Sequence, residues 1–215
     1  MKPWFIHLFV WFTKLTGYLP AYLLFKPKVV HINKKNKKIP KPCIIVSNHK
    51  SLMDFALYLI VFPFRTIRFL IAEVLFHKNP AFSFMLRAWG GIKVERELKE
   101  FSFIADSIDV LDRKGTVGIF PEARLPVHGK PWPFTTSTAY IALHTDAPIL
   151  PVYTDGNYGI LKRASVCVGE PFSLTAYQKE GLSQEEQLQH LTRILEEKVY
   201  ELKDHLEAKK QKKVD

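Results

Sequence analysis

Short apolar runs and segments with helical periodicity alternate along the chain from residue 43 onward. Runs rich in β-branched and aromatic residues predict strands at 43–47, 66–72, 92–94, 116–120, 149–153 and 165–168. Apolar positions that recur every three or four residues predict helices at 54–62, 80–88, 101–113 and 136–145. This alternation is typical of an α/β fold in which helices flank a central mixed, largely parallel sheet.

The C-terminal segment has the pattern of a long amphipathic helix. Ser183 and Glu186 are the ends of a capping box, a sequence signature of a helix start. Beyond it, apolar residues recur along one helical face: Leu188, Leu191, Leu195, Val199, Leu202 and Leu206. Since neither a Gly/Ser linker nor an internal repeat interrupts residues 42–215, we expect them to form a single α/β domain that ends in this helix.

The first 25 residues consist of two charge-free apolar runs, 3–13 and 15–25, with Lys14 between them. Each run has eleven residues, whereas a spanning helix needs roughly 20. One spanning helix would place Lys14 near mid-bilayer, at a cost of roughly 2.5–3.5 kcal/mol. We therefore expect two short amphipathic helices that lie in the membrane interface and anchor the chain there. Four aromatic residues favour headgroup depth: Trp4, Trp11, Tyr18 and Tyr22. The alternative is that these helices pack on the protein's own core.

The positive charge is concentrated in the same part of the chain. The net charge is +10, yet residues 1–53 contain ten lysines and no acidic residue, whereas residues 54–215 are formally neutral. Lysines close to anionic lipid contribute about 1 kcal/mol each. Residues 1–41 are therefore predicted to be a membrane-interfacial helical segment with a lysine cluster. A secretory signal is disfavoured because no small-residue cleavage site follows the apolar runs, and nucleic acid is disfavoured because no recognition motif accompanies the lysines.

The two cysteines, Cys43 and Cys167, lie far apart inside apolar runs. This placement disfavours a disulfide framework and indicates buried thiols in a reducing compartment. The cysteines form no zinc motif, and we expect no metal ion. Combined with the apolar N-terminus, these features predict a protein on the cytoplasmic face of a membrane.

Polar side chains that could carry chemistry follow the predicted strands, where ligands collect in α/β sheets. After the strand at 43–47 come Asn48 and His49, with Asp54 five residues beyond the histidine. A neutral imidazole takes a proton from a hydroxyl while a carboxylate fixes its tautomer. The alternative is structural, because Ser51 and Asp54 also form a capping box for the next helix. Since the chain has no Gly-x-Ser-x-Gly nucleophile motif, we expect the substrate's own hydroxyl to attack.

Two further groups lie beside later strands. Gly91 permits a close backbone approach just before the strand at 92–94, and Arg96 follows that strand. Glu122 and Arg124 come after the next predicted strand. A guanidinium matches two oxygens of a phosphate, so both arginines are candidate phosphate ligands. Surface ion pairs with neighbouring glutamates are the alternative role for the arginines.

Four sequence blocks thus occur in a fixed order. They are Asn48-His49-x-Ser-x-x-Asp54, Gly-x-Ile-x-Val-x-Arg96, Phe-Pro-Glu122-x-Arg124, and Ala-Pro-Ile-Leu-Pro-Val at 147–152. Together they resemble the four ordered blocks of the glycerophospholipid acyltransferases, most closely those that act on 1-acyl-glycerol-3-phosphate. The resemblance covers residues 40–155 and includes the His-x4-Asp motif.

The resemblance implies a role for each matched residue. His49 is expected to be the general base and Asp54 the carboxylate that orients it. The residues expected to bind substrate are Arg96, Glu122, Arg124, Gly91 and Asn48. Among these, the two arginines would hold the acceptor's phosphate, and Glu122 would position its glycerol backbone. Ala123 stands where many relatives have glycine, in a block one residue shorter, and alanine would be strained there if that glycine has a positive φ.

The resemblance also implies the reaction and its partners. A fatty acyl group would pass from an acyl-CoA or acyl carrier protein thioester to the free hydroxyl of lysophosphatidic acid, giving phosphatidic acid for phospholipid biosynthesis, with no cofactor. The expected partners are membrane lipids and the thioester donor. Two alternatives stay open: another acceptor, such as a different lysophospholipid or glycerol 3-phosphate, and a non-catalytic membrane-surface binding module. Nothing in the sequence indicates an oligomeric state.

Overall fold

Strands form one central sheet in the structure, a computed structural model that describes residues 2–33, 38–95, 102–159 and 162–211. The strands are β1 (Lys28–His31), β2 (Cys43–Ser47), β3 (Ile67–Ala72), β4 (Ile92–Val94), β5 (Thr116–Ile119), β6 (Ile149–Thr154) and β7 (Ser165–Val168). Their order across the sheet is β1-β7-β6-β2-β5-β3-β4. The neighbours are parallel except for β6 and β7, which are antiparallel. The predicted mixed, largely parallel sheet is confirmed.

Helices cover both faces of this sheet. They are α1 (Pro3–Phe25), α2 (Asp54–Val61), α3 (Val74–His77), α4 (Pro80–Ala88), α5 (Ser102–Asp112), α6 (Ser137–Thr145) and α7 (Gln184–Gln211), with a 3₁₀ turn at Thr175–Tyr177. One hydrophobic core joins α1 and α2 to the sheet, and a second joins α5, α6 and α7 to its opposite face. The fold is therefore a three-layer α/β sandwich.

β2 lies in the middle of the sheet and is buried along its whole length. Ile44 and Val46 belong to the core under α5, α6 and α7, whereas Cys43 and Ile45 belong to the core under α1 and α2. Because successive side chains point to opposite faces and both faces are covered, the strand reads as one continuous apolar run.

α7 begins as the capping box predicts. The backbone N–H of Ser183 donates to Glu186 Oε2 at 2.9 Å, and the N–H of Glu186 points back to Ser183 Oγ at 3.4 Å. Five of the six predicted apolar positions are buried: Leu191, Leu195, Val199, Leu202 and Leu206. The helix is thus fixed by its start and by one apolar face.

β1 is a difference from the sequence-based expectation. Lys28–His31 falls within the segment predicted to be helical and interfacial, but it forms an edge strand parallel to β7. An edge strand of four residues with lysine and histidine at its ends has no long apolar run, so its pattern was not recognisable. The sheet therefore includes part of the N-terminal segment, while Lys34, Lys35 and Lys37 lie outside the described residues.

α1 corrects the expectation of two short helices. It is one helix of 23 residues that continues through Lys14 and Pro20. Lys14 does not interrupt the helix, because its buried ammonium donates to the carbonyls of Phe62 and Pro63, both at 2.9 Å, and to that of Arg65. The charge is satisfied by the protein, so no break is needed to keep it out of lipid.

The two sides of α1 have different surroundings. Ile6, Val10 and Phe25 are buried on the side of Lys14, so the helix packs on the protein's own core. The opposite side exposes an apolar stripe made of Leu8, Phe12, Leu15, Leu19 and Leu23, each more than half exposed. By length and composition the helix could cross a membrane. Its exposed stripe makes it a candidate membrane anchor.

Candidate active site

The carboxyl ends of β2 and β5 bring two of the predicted site residues together. The strands are parallel neighbours, with Val46 opposite Ile119, so the residues after them emerge at the same edge of the sheet. His49 follows β2 and Glu122 follows β5. The backbone N–H of His49 donates to Glu122 Oε1 at 3.1 Å. The topology thus assembles a site from residues 73 positions apart.

His49 and Asp54 form a hydrogen-bonded pair. His49 Nδ1 lies 2.7 Å from Asp54 Oδ2, and the carboxylate is fully buried while the imidazole is 16% exposed. With its proton on Nδ1, the imidazole donates to the carboxylate and keeps a lone pair on Nε2. The ring stacks on Phe120, with centroids 4.5 Å apart and planes 15° apart. This is the arrangement that a general base requires.

Asp54 also forms one half of the predicted capping box, the half in which its side chain reaches back to the Ser51 N–H. Its Oδ2 accepts the backbone N–H groups of Lys50 at 2.7 Å and Ser51 at 2.9 Å, so the carboxylate closes the turn that begins α2. These bonds and the imidazole place three donors on Oδ2, and the negative charge of the carboxylate strengthens each of these hydrogen bonds. The helix start therefore holds the carboxylate in the position from which it orients His49.

Glu122 is a buried carboxylate with one oxygen unsatisfied. It is 2% exposed, and among the described residues Oε2 has no hydrogen-bond partner. Burial raises the pKa of Glu122 above its ordinary value, against the opposing effect of the His49 N–H. A carboxylate held in this way is suited to accept a hydrogen bond from a ligand.

The third block continues into an exposed loop. Ala123 has a φ of 54°, so alanine occupies a left-handed conformation that glycine adopts without strain. Arg124 is exposed, and its guanidinium lies 5.2 Å from the Trp132 ring in a cation–π contact. The structure therefore places this candidate phosphate ligand on the loop that leaves the site.

Arg96, the other candidate phosphate ligand, lies outside the described residues. The strand before it, β4, ends at the same edge as β2 because the intervening strands are parallel. Three strand spacings separate the two ends, which is roughly 14 Å. The phosphate clamp is thus not seen assembled.

Two predicted substrate ligands, Asn48 and Gly91, have structural roles. Asn48 is fully buried, and its amide donates to the Thr154 carbonyl and accepts the Thr154 N–H, both at 2.9 Å. This side chain joins the ends of β2 and β6. Gly91 is needed for packing, because a Cβ there would lie 2.7 Å from Ile71 Cδ1 and 3.0 Å from the Leu86 carbonyl oxygen. The role of Asn48 depends on Thr154, 106 residues further along the chain, and that of Gly91 depends on packing against Ile71, so neither role was visible in the sequence.

Tyr158 is a site residue that the sequence analysis missed. Its hydroxyl donates to Asp54 Oδ1 from a loop 104 residues further along the chain. A lone tyrosine after a strand belongs to no motif, so no sequence signal was available.

Within the described ranges no three His, Cys, Asp or Glu side chains are grouped as metal ligands would be.

Comparisons with known proteins identify a family for this chain. Residues 28–155, more than half of the chain, match the acyltransferase family. Over 113 residues the chain is 30% identical to human 1-acyl-sn-glycerol-3-phosphate acyltransferase beta. The aligned residues make up 52% of this chain and 41% of that protein. The chain therefore spans less than half the length of this curated relative.

The fold also has a solved counterpart. The crystal structure of the 1-acyl-sn-glycerophosphate acyltransferase PlsC from Thermotoga maritima superposes with a TM-score of 0.62 at 24% identity, covering 90% of this chain and 78% of that one. This likeness shows the shared fold. The family match includes the β2, β5 and β6 strand ends that carry the site. The chain belongs to the acyltransferase family.

Proposed function

We propose that this protein is an O-acyltransferase that transfers a fatty acyl group from a thioester to the free hydroxyl of lysophosphatidic acid. The observation that carries the proposal is the His49–Asp54 pair, 2.7 Å apart and held at the strand-end edge of the sheet. The printed name of the human relative, which specifies 1-acyl-sn-glycerol-3-phosphate, supports this acceptor. Phosphatidic acid and a free thiol would be the products.

The reaction follows from the geometry of the pair. His49 Nε2 takes the proton of the acceptor hydroxyl, and the resulting oxygen nucleophile attacks the thioester carbonyl carbon. As the tetrahedral intermediate collapses, the carbon–sulfur bond breaks and the thiolate takes the proton back from the imidazolium. The buried Asp54 carboxylate stabilises that imidazolium and fixes the tautomer. No covalent acyl-enzyme is required.

The remaining roles concern binding of the acceptor. Glu122, with its unpaired Oε2, positions the glycerol backbone. Arg96 and Arg124 bind the phosphate, since a guanidinium pairs with two phosphate oxygens. The contact of Arg124 with Trp132 uses the face of the guanidinium, so the N–H groups on its edge can still donate to the phosphate.

The exposed stripe of α1 supports a location at the membrane surface. Lysophospholipid acceptors reside in the bilayer, and an apolar helix with lysines after it binds an anionic membrane interface. The donor, acyl-CoA or acyl carrier protein, then approaches from the cytoplasmic side. Both donors are anionic, so the lysine-rich N-terminal region assists either of them.

The test compares turnover of the wild type with that of His49→Ala in detergent micelles containing lysophosphatidic acid, with each donor offered separately. We expect His49→Ala to lower kcat by about 10²–10⁴-fold, the contribution of a general base. Thermal stability and vesicle binding should stay unchanged. His144→Ala is the matched control, because His144 is exposed on α6 and stacks on Tyr140.

Because Ala123 is strained where many relatives have glycine, the same assay includes a second set of acceptors. Lysophosphatidylcholine, lysophosphatidylethanolamine and glycerol 3-phosphate test whether the shortened third block has changed specificity. Turnover of one of these in place of lysophosphatidic acid would contradict the proposed acceptor but keep the reaction. Equal turnover by wild type and His49→Ala would contradict the base, and absence of turnover with every acceptor would favour the non-catalytic membrane-binding module.

A further inference from the structure

The carboxylate of Asp54 is held from two directions. Oδ2 receives the imidazole of His49 and two backbone N–H groups, all within seven residues of sequence. Oδ1 receives the hydroxyl of Tyr158, which arrives from the loop after β6. Tyr158 therefore donates a hydrogen bond to the carboxylate oxygen that does not contact the imidazole.

In the described residues, the hydroxyl of Tyr158 is the side-chain donor to Asp54 Oδ1. Among the described residues, the titratable groups around the carboxylate are His49, Tyr58, Glu122 and Tyr158, and Lys50 contributes its backbone N–H. Tyr58 is bonded instead to Ser47 Oγ, and Glu122 holds the backbone of His49. Burial, followed by the Asp54 charge, raises the pKa of Tyr158, so its hydroxyl remains a donor at physiological pH.

The loop that carries Tyr158 is fitted to the site. Gly156 has a φ of 72°, and a Cβ there would lie 2.7 Å from Lys50 Cβ, so the loop packs directly on the turn between His49 and Asp54. The Tyr158 N–H donates to the Gly156 carbonyl at 3.0 Å. Both contacts fix the tyrosine relative to the dyad.

The ring of Tyr158 is held by α1. Phe25, the last residue of α1, is 1% exposed and meets the tyrosine ring edge to face, with centroids 5.4 Å apart. Its carbonyl accepts the Ala164 N–H at 3.0 Å, which ties the end of α1 to the start of β7. The candidate membrane helix thus supports the residue that holds Asp54.

We propose that Tyr158 is a positioning residue, which fixes the Asp54 carboxylate through its hydroxyl and thereby sets the orientation and basicity of His49. The consequence for turnover rests on the proposed function, whereas the effect on His49 does not. Without the hydroxyl, the full charge of Asp54 acts on the imidazole, the imidazolium is stabilised, and His49 becomes more basic.

The first test compares Tyr158→Phe with Tyr140→Phe, a matched control in which the tyrosine lies on α6. NMR titration of histidine-labelled protein in micelles measures the His49 imidazole, assigned by its absence in His49→Ala. We expect kcat of Tyr158→Phe to fall about tenfold with KM within about twofold. The NMR titration and the acid limb of the pH profile of kcat should move together to higher pH.

A second variant keeps the packing of the ring. Incorporating 3,5-difluorotyrosine at position 158 makes the hydroxyl a stronger donor, so the His49 titration should move in the opposite direction. Opposite shifts in the two proteins support positioning through the hydrogen bond, and an unmoved titration in both overturns it. A moved titration in a protein without acyl transfer would support the role of Tyr158 while contradicting the proposed function.

Discussion

Replacing Lys14 with methionine removes the charge that docks α1 while keeping an unbranched side chain of similar length. In the wild type this residue is 9% exposed, and its ammonium donates to the carbonyls of Phe62, Pro63 and Arg65 at the end of α2. Each of the three ammonium protons therefore has an acceptor. The substitution leaves all three carbonyls without that partner.

The size of the effect follows from these bonds. A hydrogen bond to a charged group contributes about 1.5–3 kcal/mol, and the buried bond to Phe62 is the one that water cannot replace. The carbonyls of Pro63 and Arg65 are partly buried and recover water. Desolvation opposes the gain, since burial lowers the pKa of Lys14 to about 8. Because desolvation offsets part of the gain from this bond, we expect a net loss of about 1 kcal/mol, which lowers Tm by about 2–4 °C in a protein of this size.

Thermal unfolding in detergent at pH 7 measures this loss, with Lys2→Met as the control because Lys2 is exposed at the start of the same helix. The difference also depends on pH. The pKa of Lys14 is near 10.5 in the unfolded chain and about 8 when folded, so the unfolded chain binds more protons between these values. The stability of wild type relative to Lys14→Met therefore rises with pH across this window. A Tm of Lys14→Met within about 1 °C of wild type at pH 7 would refute docking through the ammonium.

Three further changes have defined outcomes. Glu122→Gln should raise Tm by about 2–4 °C at pH 7.5 and lower turnover, because burial raises the pKa of Glu122 and makes its ionised form costly. Ala123→Gly should gain about 0.5–1 kcal/mol in thermal unfolding, because φ is 54° at this residue. Leu15→Lys should weaken binding to anionic vesicles about tenfold in a sedimentation assay without lowering Tm, because Leu15 is 84% exposed.

Each of these three predictions can be contradicted by a defined result. The stability gain of Glu122→Gln should disappear below about pH 4.5, where the carboxyl is protonated in both states, and a gain that persists there would contradict the role of ionisation. A lower Tm in Ala123→Gly would show that the left-handed conformation is not strained. Gln189→Lys, at an exposed position of α7, controls for one added positive charge. Unchanged vesicle binding of Leu15→Lys would contradict an anchor formed by the stripe.

The central strands and helices were predictable because their environment is uniform along each element. β2 is buried on both faces, and the stripe of α7 is buried along its length, so pattern and structure coincide. β1 and α1 were not predictable, because their environment is set by distant partners. The pairing of β1 with β7, and the carbonyls that receive Lys14, come from residues at least 48 positions away. A sequence pattern contains no information about such partners.

The site residues also differ in how far they could be predicted from the sequence. His49 and Asp54 were predictable because they meet within one turn of chain, and Glu122 because parallel strands end at one edge. The structural role of Asn48 was not predictable, since its partner Thr154 is 106 residues away. Tyr158 was missed for the same reason, although it contacts the same carboxylate as His49.

The orientation of α1 connects the membrane argument to the site. The helix is fixed at two points along its length, by the Lys14 ammonium near its middle and by buried Phe25 at its end. Two fixed points prevent rotation about the helix axis, so the stripe that contains Phe12 and Leu19 faces outward with or without lipid. Crossing the bilayer would require Lys14 to leave its three carbonyls and Phe25 to leave Tyr158. An interfacial α1 keeps both contacts, and membrane binding then leaves the support of Asp54 in place.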